Sequence, residues 1–266
     1  MTWALALVLT ASPWSSLSDT QRAQALLGLK ATPMPERVAR ATDGFLGTTY
    51  VLSPLGEGEG KDPDPLIRYD AVDCVTLVEE AIALSLADDP AGVLPTLTAI
   101  RYAGAPTYES RNHVMEAQWL PENVRRGYLK DVTRAYGGAA TITATKVITA
   151  DTWKEKSGKA LGLSEAAQPK GSFSLELIPA RRAVEALQRA PSGLVVVVAR
   201  ADRPWLVTRI SHVGVLVQSE KGPLLRHASR SFKRVVDEPL ERYLSRNLDY
   251  GKWTIDGLAV FEPRAP

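Results

Sequence analysis

The sequence is poor in the residues that usually announce chemistry: among 266 residues it has one cysteine and three histidines. A single thiol cannot close an internal disulfide, and no set of cysteines and histidines has the spacing of a structural zinc site. An excess of charge of one sign is also missing, since 32 Lys and Arg face 30 Asp and Glu. The basic residues are scattered rather than gathered in a run with interleaved aromatics, which argues against a nucleic acid partner. No apolar run approaches the length of a membrane-spanning helix, so no stable membrane insertion is expected. The nearest to one is the first segment, "MTWALALVLTASPWSS". Its short apolar stretch followed by small residues reads as an export signal over residues 1–17, which would place the protein in a periplasmic or extracellular compartment. The basic residues expected ahead of that stretch are missing, so an ordinary buried N-terminal helix in a cytoplasmic protein stays open.

What is present is a chain 45% hydrophobic, long enough for one sizeable core. The expected organisation is one domain over residues 18–266, with a large insertion at about 91–190. "SDTQRAQALLGLK" opens on a capping serine and carries Ala and Leu at helical spacing, and "PMPERVARATDGFLGTTY" predicts a second helix ending near Gly44. After the Gly- and acid-rich loop "GEGEGKDPDP", a helix is predicted from Cys74. Val75, Val78 and Ile82 form one apolar stripe on it, with Leu77, Ala81 and Leu84 beside them. The last quarter holds "GLVVVVAR", "ISHVGVLVQ", "PLLRHASR" and "GLAVFEP", which read as strands of an antiparallel sheet. A helical first half followed by strands predicts an α+β fold.

Cys74 has two readings. Asp73 or Asp70 can cap the helix, which puts the thiol in the first turn, where unpaired backbone N–H groups and the positive end of the helix dipole favour a thiolate. Alternatively it is a small buried hydrophobe. Histidine placement bears on the choice, because His212 and His227 fall on consecutive strands joined by "SEKG". If Gln218 pairs with Pro223, His212 stands opposite Ser229 with His227 diagonal to it on one face. A register shorter by two residues sets the two histidines directly opposite, and a shift of one residue sends them to opposite faces.

"VDCVTLVEE", then "SHVGVLV" and "LLRHAS", resembles the catalytic pattern of papain-like cell-wall amidohydrolases of the NlpC type. "FLGTTYVLSPLGEG", "YESRNHVMEAQWLPEN" and the hairpin resemble, more closely, the N-acetylmuramoyl-L-alanine amidase-like branch, over roughly residues 40 to 262. The resemblance implies a papain-like core with the nucleophile at the N-terminus of a central helix packed on an antiparallel sheet. It makes Cys74 the nucleophile, His212 the base and His227 the residue that orients it, acting on peptidoglycan or muropeptides with no metal and no cofactor. Each role has its own chemical reason: a thiol nucleophile needs a base, and the base needs a partner that fixes its tautomer.

Four further residues are candidate substrate contacts. Arg111 can pair with a stem-peptide carboxylate, His113 can line the cleft, Trp119 can wall a sugar or peptide, and Asp73 can hold a substrate amine. Against these stand plain structural roles as a local cap, a loop residue and core. The function expected is cleavage of the amide between N-acetylmuramic acid and L-alanine. The alternatives are a stem-peptide endopeptidase or a thioester acyltransferase on the same scaffold, or an inactive cell-wall binding module.

Overall fold

The structure is a computed structural model that describes residues 12–248 and 252–266. Ten strands make up its sheet: β1 Thr49–Tyr50, β2 Ala71–Val72, β3 Leu129–Asp131, β4 Ile142–Ile148, β5 Gly171–Pro179, β6 Val195–Arg200, β7 Ile210–Ser219, β8 Gly222–Ser229, β9 Arg234–Pro239 and β10 Ile255–Pro263. They run in the order β2-β1-β9-β8-β7-β6-β10-β5-β4, with β3 paired to β10. The fold is mixed α+β. The sheet is mixed rather than purely antiparallel, because β1 and β2 pair in parallel, Thr49 against Ala71. That short pair delivers the chain to the start of the central helix.

The run Val195–Val198 explains why the sheet is central. Val195 and Val197 belong to the apolar cluster on one face, and Val196 and Val198 to the cluster on the other. A strand covered on both faces reads as a continuous apolar run instead of an alternation. The first face is covered by helices α1 Asp19–Lys30, α2 Glu36–Asp43, α3 Cys74–Leu86 and α4 Pro90–Arg101. The helix Leu240–Asn247 lies on the second, through Leu240, Tyr243 and Leu244. Helix α1 starts at the expected serine, where Ser18 and Gln21 form a reciprocal capping box.

Helix α3 is buried along its whole length from Thr76 to Ser85, not along one stripe. Two carboxylates therefore go inside with it. Glu79 is held by Arg101 Nη1 at 2.7 Å and by Trp119 Nε1 at 2.8 Å. Glu80 is 0% exposed, and burial pushes its carboxyl well above the ordinary carboxylate range.

The expected export signal falls largely on residues 1–11, outside the described residues. Of the residues that follow, Trp14 is buried and donates from Nε1 to Ala41 O at 2.7 Å. Among the described residues no helix is long and apolar enough to cross a membrane.

Candidate active site

Cys74 is the first residue of α3, and Asp73 is its cap. Asp73 Oδ1 accepts from the backbone N–H groups of Val75 and Thr76 at 3.0 and 2.9 Å, while Thr76 Oγ1 accepts from Asp73 N at 2.8 Å. Asp73 Oδ2 accepts from Ser53 N at 3.1 Å. Both carboxylate oxygens are thus used internally, and Asp73 is 9% exposed. The role of amine ligand gives way to that of cap.

The thiol is half-buried, and its thiolate is favoured by the backbone N–H groups of Val213, the residue after His212, and of Cys74 and Val75. These three donors favour a thiolate, but burial, with a smaller push from Asp73, outweighs them and raises the thiol to about 12. At neutral pH the resting group is therefore a thiol that must lose its proton as it reacts.

Strands β7 and β8 settle the register. Gln218 pairs with Pro223 and Val215 with Arg226, so His212 and His227 share a face. The turn is tighter than expected, since Ser219 pairs with Gly222, whose φ of 109° suits glycine. His212 Nε2 lies 2.7 Å from His227 Nδ1, with the rings edge to face at 89°. Gly214 makes room for this: a Cβ there would stand 3.1 Å from His227 Cβ and 2.7 Å from Arg226 O. Tyr243 clamps the pair from the second face, stacked 5.6 Å from His212 and edge-on 5.3 Å from His227.

The network continues into β9, a strand that the composition of "RVVDEP" does not announce. His227 pairs with Val236, so Glu238, two residues on, projects from the same face. Glu238 Oε2 lies 3.3 Å from His227 Nε2, and its two oxygens take Arg246 Nε and Nη2 at 3.1 and 2.7 Å. The Glu238–His227 pair is not aligned as a hydrogen bond, but a carboxylate at that distance favours the proton on Nε2, and Nδ1 of His227 is then an acceptor for the Nε2–H of His212. The Nδ1 of His212 is then the basic nitrogen. Burial lowers both imidazoles, His212 well below its ordinary value and His227 to about 4, with Glu238 opposing the shift at His227. Both rings are neutral at pH 7, as a base requires.

A cleft of about 690 Å³ opens over the pair, lined by both imidazoles, Tyr243 and Trp253 among others. None of the four expected substrate contacts lines it, and Cys74 is not among its lining residues. Arg111 directs Nε and Nη2 to Glu57 Oε1 at 2.9 and 2.5 Å, and Nη2 to Asp62 Oδ2 at 2.8 Å. Its fork is spent tying down the "GEGEGKDPDP" loop. His113 binds Tyr108 O through Nε2 at 2.7 Å and packs on that tyrosine ring at 4.6 Å. Trp119 is 1% exposed and is core. Among the described residues no group of three or more His, Cys, Asp or Glu could hold a metal ion.

The family model for N-acetylmuramoyl-L-alanine amidase-like proteins, AmiA-like, matches residues 40–251. The chain belongs to this family. Similar solved structures include a Legionella pneumophila protein of the family DUF1460, which shares the fold with a TM-score of 0.78 at 24% identity over 92% of this chain and 94% of that one. An N-acetylmuramoyl-L-alanine amidase from Bacteroides uniformis is 26% identical over 85% of this chain and 99% of its own, with a TM-score of 0.68. A Bacteroides fragilis protein whose given name is that of a candidate xylanase is 25% identical, with a TM-score of 0.67, over 83% and 98%. No curated protein matches this amidase-like chain.

Proposed function

We propose that this amidase-like protein is a cysteine-dependent hydrolase of peptidoglycan or muropeptides that cuts the amide between N-acetylmuramic acid and L-alanine. The reading includes a papain-like, NlpC-type core with Cys74 as nucleophile. The observation that carries it is the 2.7 Å contact between His212 Nε2 on β7 and His227 Nδ1 on β8, beside the backbone of Val213 that favours the Cys74 thiolate. His212 takes the Cys74 proton as sulfur attacks the carbonyl carbon, and the resulting imidazolium gives it to the leaving alanine nitrogen. A thioester to the lactyl group of muramic acid remains. Water, deprotonated by the same imidazole, hydrolyses it and restores the thiol. The Cys74 N–H at the helix start is placed to stabilise the oxyanion. His227, with the Glu238 carboxylate beside its Nε2, fixes the His212 tautomer throughout.

The geometry does not favour glycosidic chemistry. That reaction uses two carboxyl groups flanking the scissile bond, and the described lining of the cleft holds no carboxylate. An endopeptidase or acyltransferase would use the same thiol and imidazoles. An exported protein would meet intact wall, in keeping with the reading of the first 17 residues as a signal.

Mass spectrometry of defined muropeptides after incubation separates these cases. Release of N-acetylmuramic acid with a free lactyl carboxylate and an intact stem peptide supports the amidase. Cleavage inside the stem peptide selects the endopeptidase, and recovery of unchanged muropeptide overturns both.

A further inference from the structure

The four charged side chains described in the cleft lining are all cationic: Arg200, Arg230, Lys233 and Arg246. Two of them are committed. Arg246 holds Glu238, and Arg200 donates to Ser211 Oγ at 3.0 Å and to Asn247 O at 3.1 Å. Arg230 and Lys233 are exposed, and neither is within ion-pair distance of a carboxylate among the described residues. Both belong to the turn Arg230-Ser231-Phe232-Lys233 that joins β8 to β9 directly after Ser229, two residues beyond His227.

Exposed Arg and Lys are ordinarily just solvated. Three features set these apart. The turn is held in place: Phe232 N donates to Ser229 Oγ at 3.3 Å, and Lys233 O accepts from Tyr50 N at 3.0 Å. Lys233 has a φ of 59°, a left-handed conformation that a lysine adopts only where its surroundings enforce it. Finally, the two cations face a concave cleft whose wall, among the described residues, holds no acid, a shape that concentrates positive potential on whatever enters. The carboxylate-reading role expected of Arg111 is vacant, since Arg111 is paired internally.

We propose that Arg230 and Lys233 hold a carboxylate of the substrate, so that the protein acts on peptide amides with a free acid near the scissile bond and discriminates against the same compounds with that acid capped as a primary amide. The inference rests on the amidase reading of the same cleft. In a stem peptide the residue after alanine carries such an acid, either free as D-glutamate or amidated as D-isoglutamine. A guanidinium fork and an ammonium together satisfy both carboxylate oxygens, whereas an amide brings no charge and turns N–H donors toward them.

The test compares N-acetylmuramoyl-L-alanyl-D-glutamate with its D-isoglutamine counterpart, the γ-carboxyl of both being blocked as a methylamide so that the α-acid is the only charge that differs. Wild-type kcat/KM should favour the acid by about tenfold or more, mainly through KM, and the preference should shrink as salt is added. Arg230→Gln and Lys233→Gln should each reduce the preference, and the double variant should abolish it. Equal kcat/KM for the two substrates in the wild type, or a preference kept by the double variant, overturns the proposal. Calorimetric binding of both compounds to Cys74→Ala protein separates this failure from that of the amidase reading. If wild type hydrolyses neither compound, tighter binding of the acid that is lost in Arg230→Gln/Lys233→Gln still supports the carboxylate site. Equal binding of acid and amide overturns it.

Discussion

Glu238→Gln is the sharpest probe of the imidazole network, because it keeps the side-chain volume and removes one charge. In the wild type the carboxylate stands 3.3 Å from His227 Nε2, and the two rings are 4.8 Å apart centre to centre. The charge is thus about 8 Å from the imidazolium that would form on His212, where a unit pair at an effective dielectric of ~20 interacts by ~2 kcal/mol. Loss of that stabilisation corresponds to a fall in kcat of roughly thirtyfold. A second effect adds to it, since glutamine can present an N–H to His227 and so favour the wrong tautomer. Steady-state kinetics from pH 5 to pH 9 would measure both, with thermal unfolding as a check that the variant folds. Glu238→Asp, which keeps the charge, should retain more activity than Glu238→Gln. Turnover of Glu238→Gln within about twofold of wild type, with the same pH profile, would refute the claim that Glu238 polarises the histidine pair.

Two further expectations concern stability. Glu79→Gln leaves the Arg101 guanidinium, 6% exposed, without its counter-charge inside the core. Removing one partner of a buried pair costs about 3 kcal/mol or more, or roughly 6–12 °C in Tm; a change under about 2 °C would show that the pair is not the tie that its geometry implies. His227 sets a pH dependence whose sign follows from its depressed pKa. The folded protein resists protonation until about 4, whereas the unfolded chain accepts a proton near 6.5. Stability from this residue is present above pH 6.5 and is lost as pH falls from there toward 4. Glu79 and Glu80, whose pKa values are raised by burial, act in the opposite sense. The comparison that isolates His227 is therefore wild type against His227→Asn in Tm between pH 7 and pH 4.5, where the variant should show the shallower decline; parallel curves would contradict it.

Much of the site was legible because local rules and tertiary structure agree there. Ser18 and Asp73 are caps by residue type, and the alternation around "SHVGVLV" and "LLRHAS" put His212 and His227 on one face in either odd register. Glu238 was not legible. "RVVDEP" carries two acids and a proline in six residues, a loop-like composition, and becomes strand β9 only because β8 offers it a pairing edge; its inward-facing acid is matched to His227 by that pairing. The same holds for Glu79 and Glu80, which periodicity places on a polar face, although α3 is enclosed on all sides. Arg111 looked available because its partners, Glu57 and Asp62, lie about 50 residues earlier in the chain, and no local pattern announces their return.

The central claim is that Cys74 attacks the substrate carbonyl with His212 as base. Intact-protein mass spectrometry during rapid turnover of a muramoyl-alanyl peptide tests it directly, with wild type, Cys74→Ala and His212→Ala in parallel. The account predicts a transient adduct on wild type with the mass of the muramoyl acyl group, forming as the stem peptide is released and decaying to free protein as the muramic acid appears. It predicts neither adduct nor hydrolysis for Cys74→Ala, and hydrolysis nearly as impaired for His212→Ala. Hydrolysis by Cys74→Ala at a rate close to wild type would contradict it.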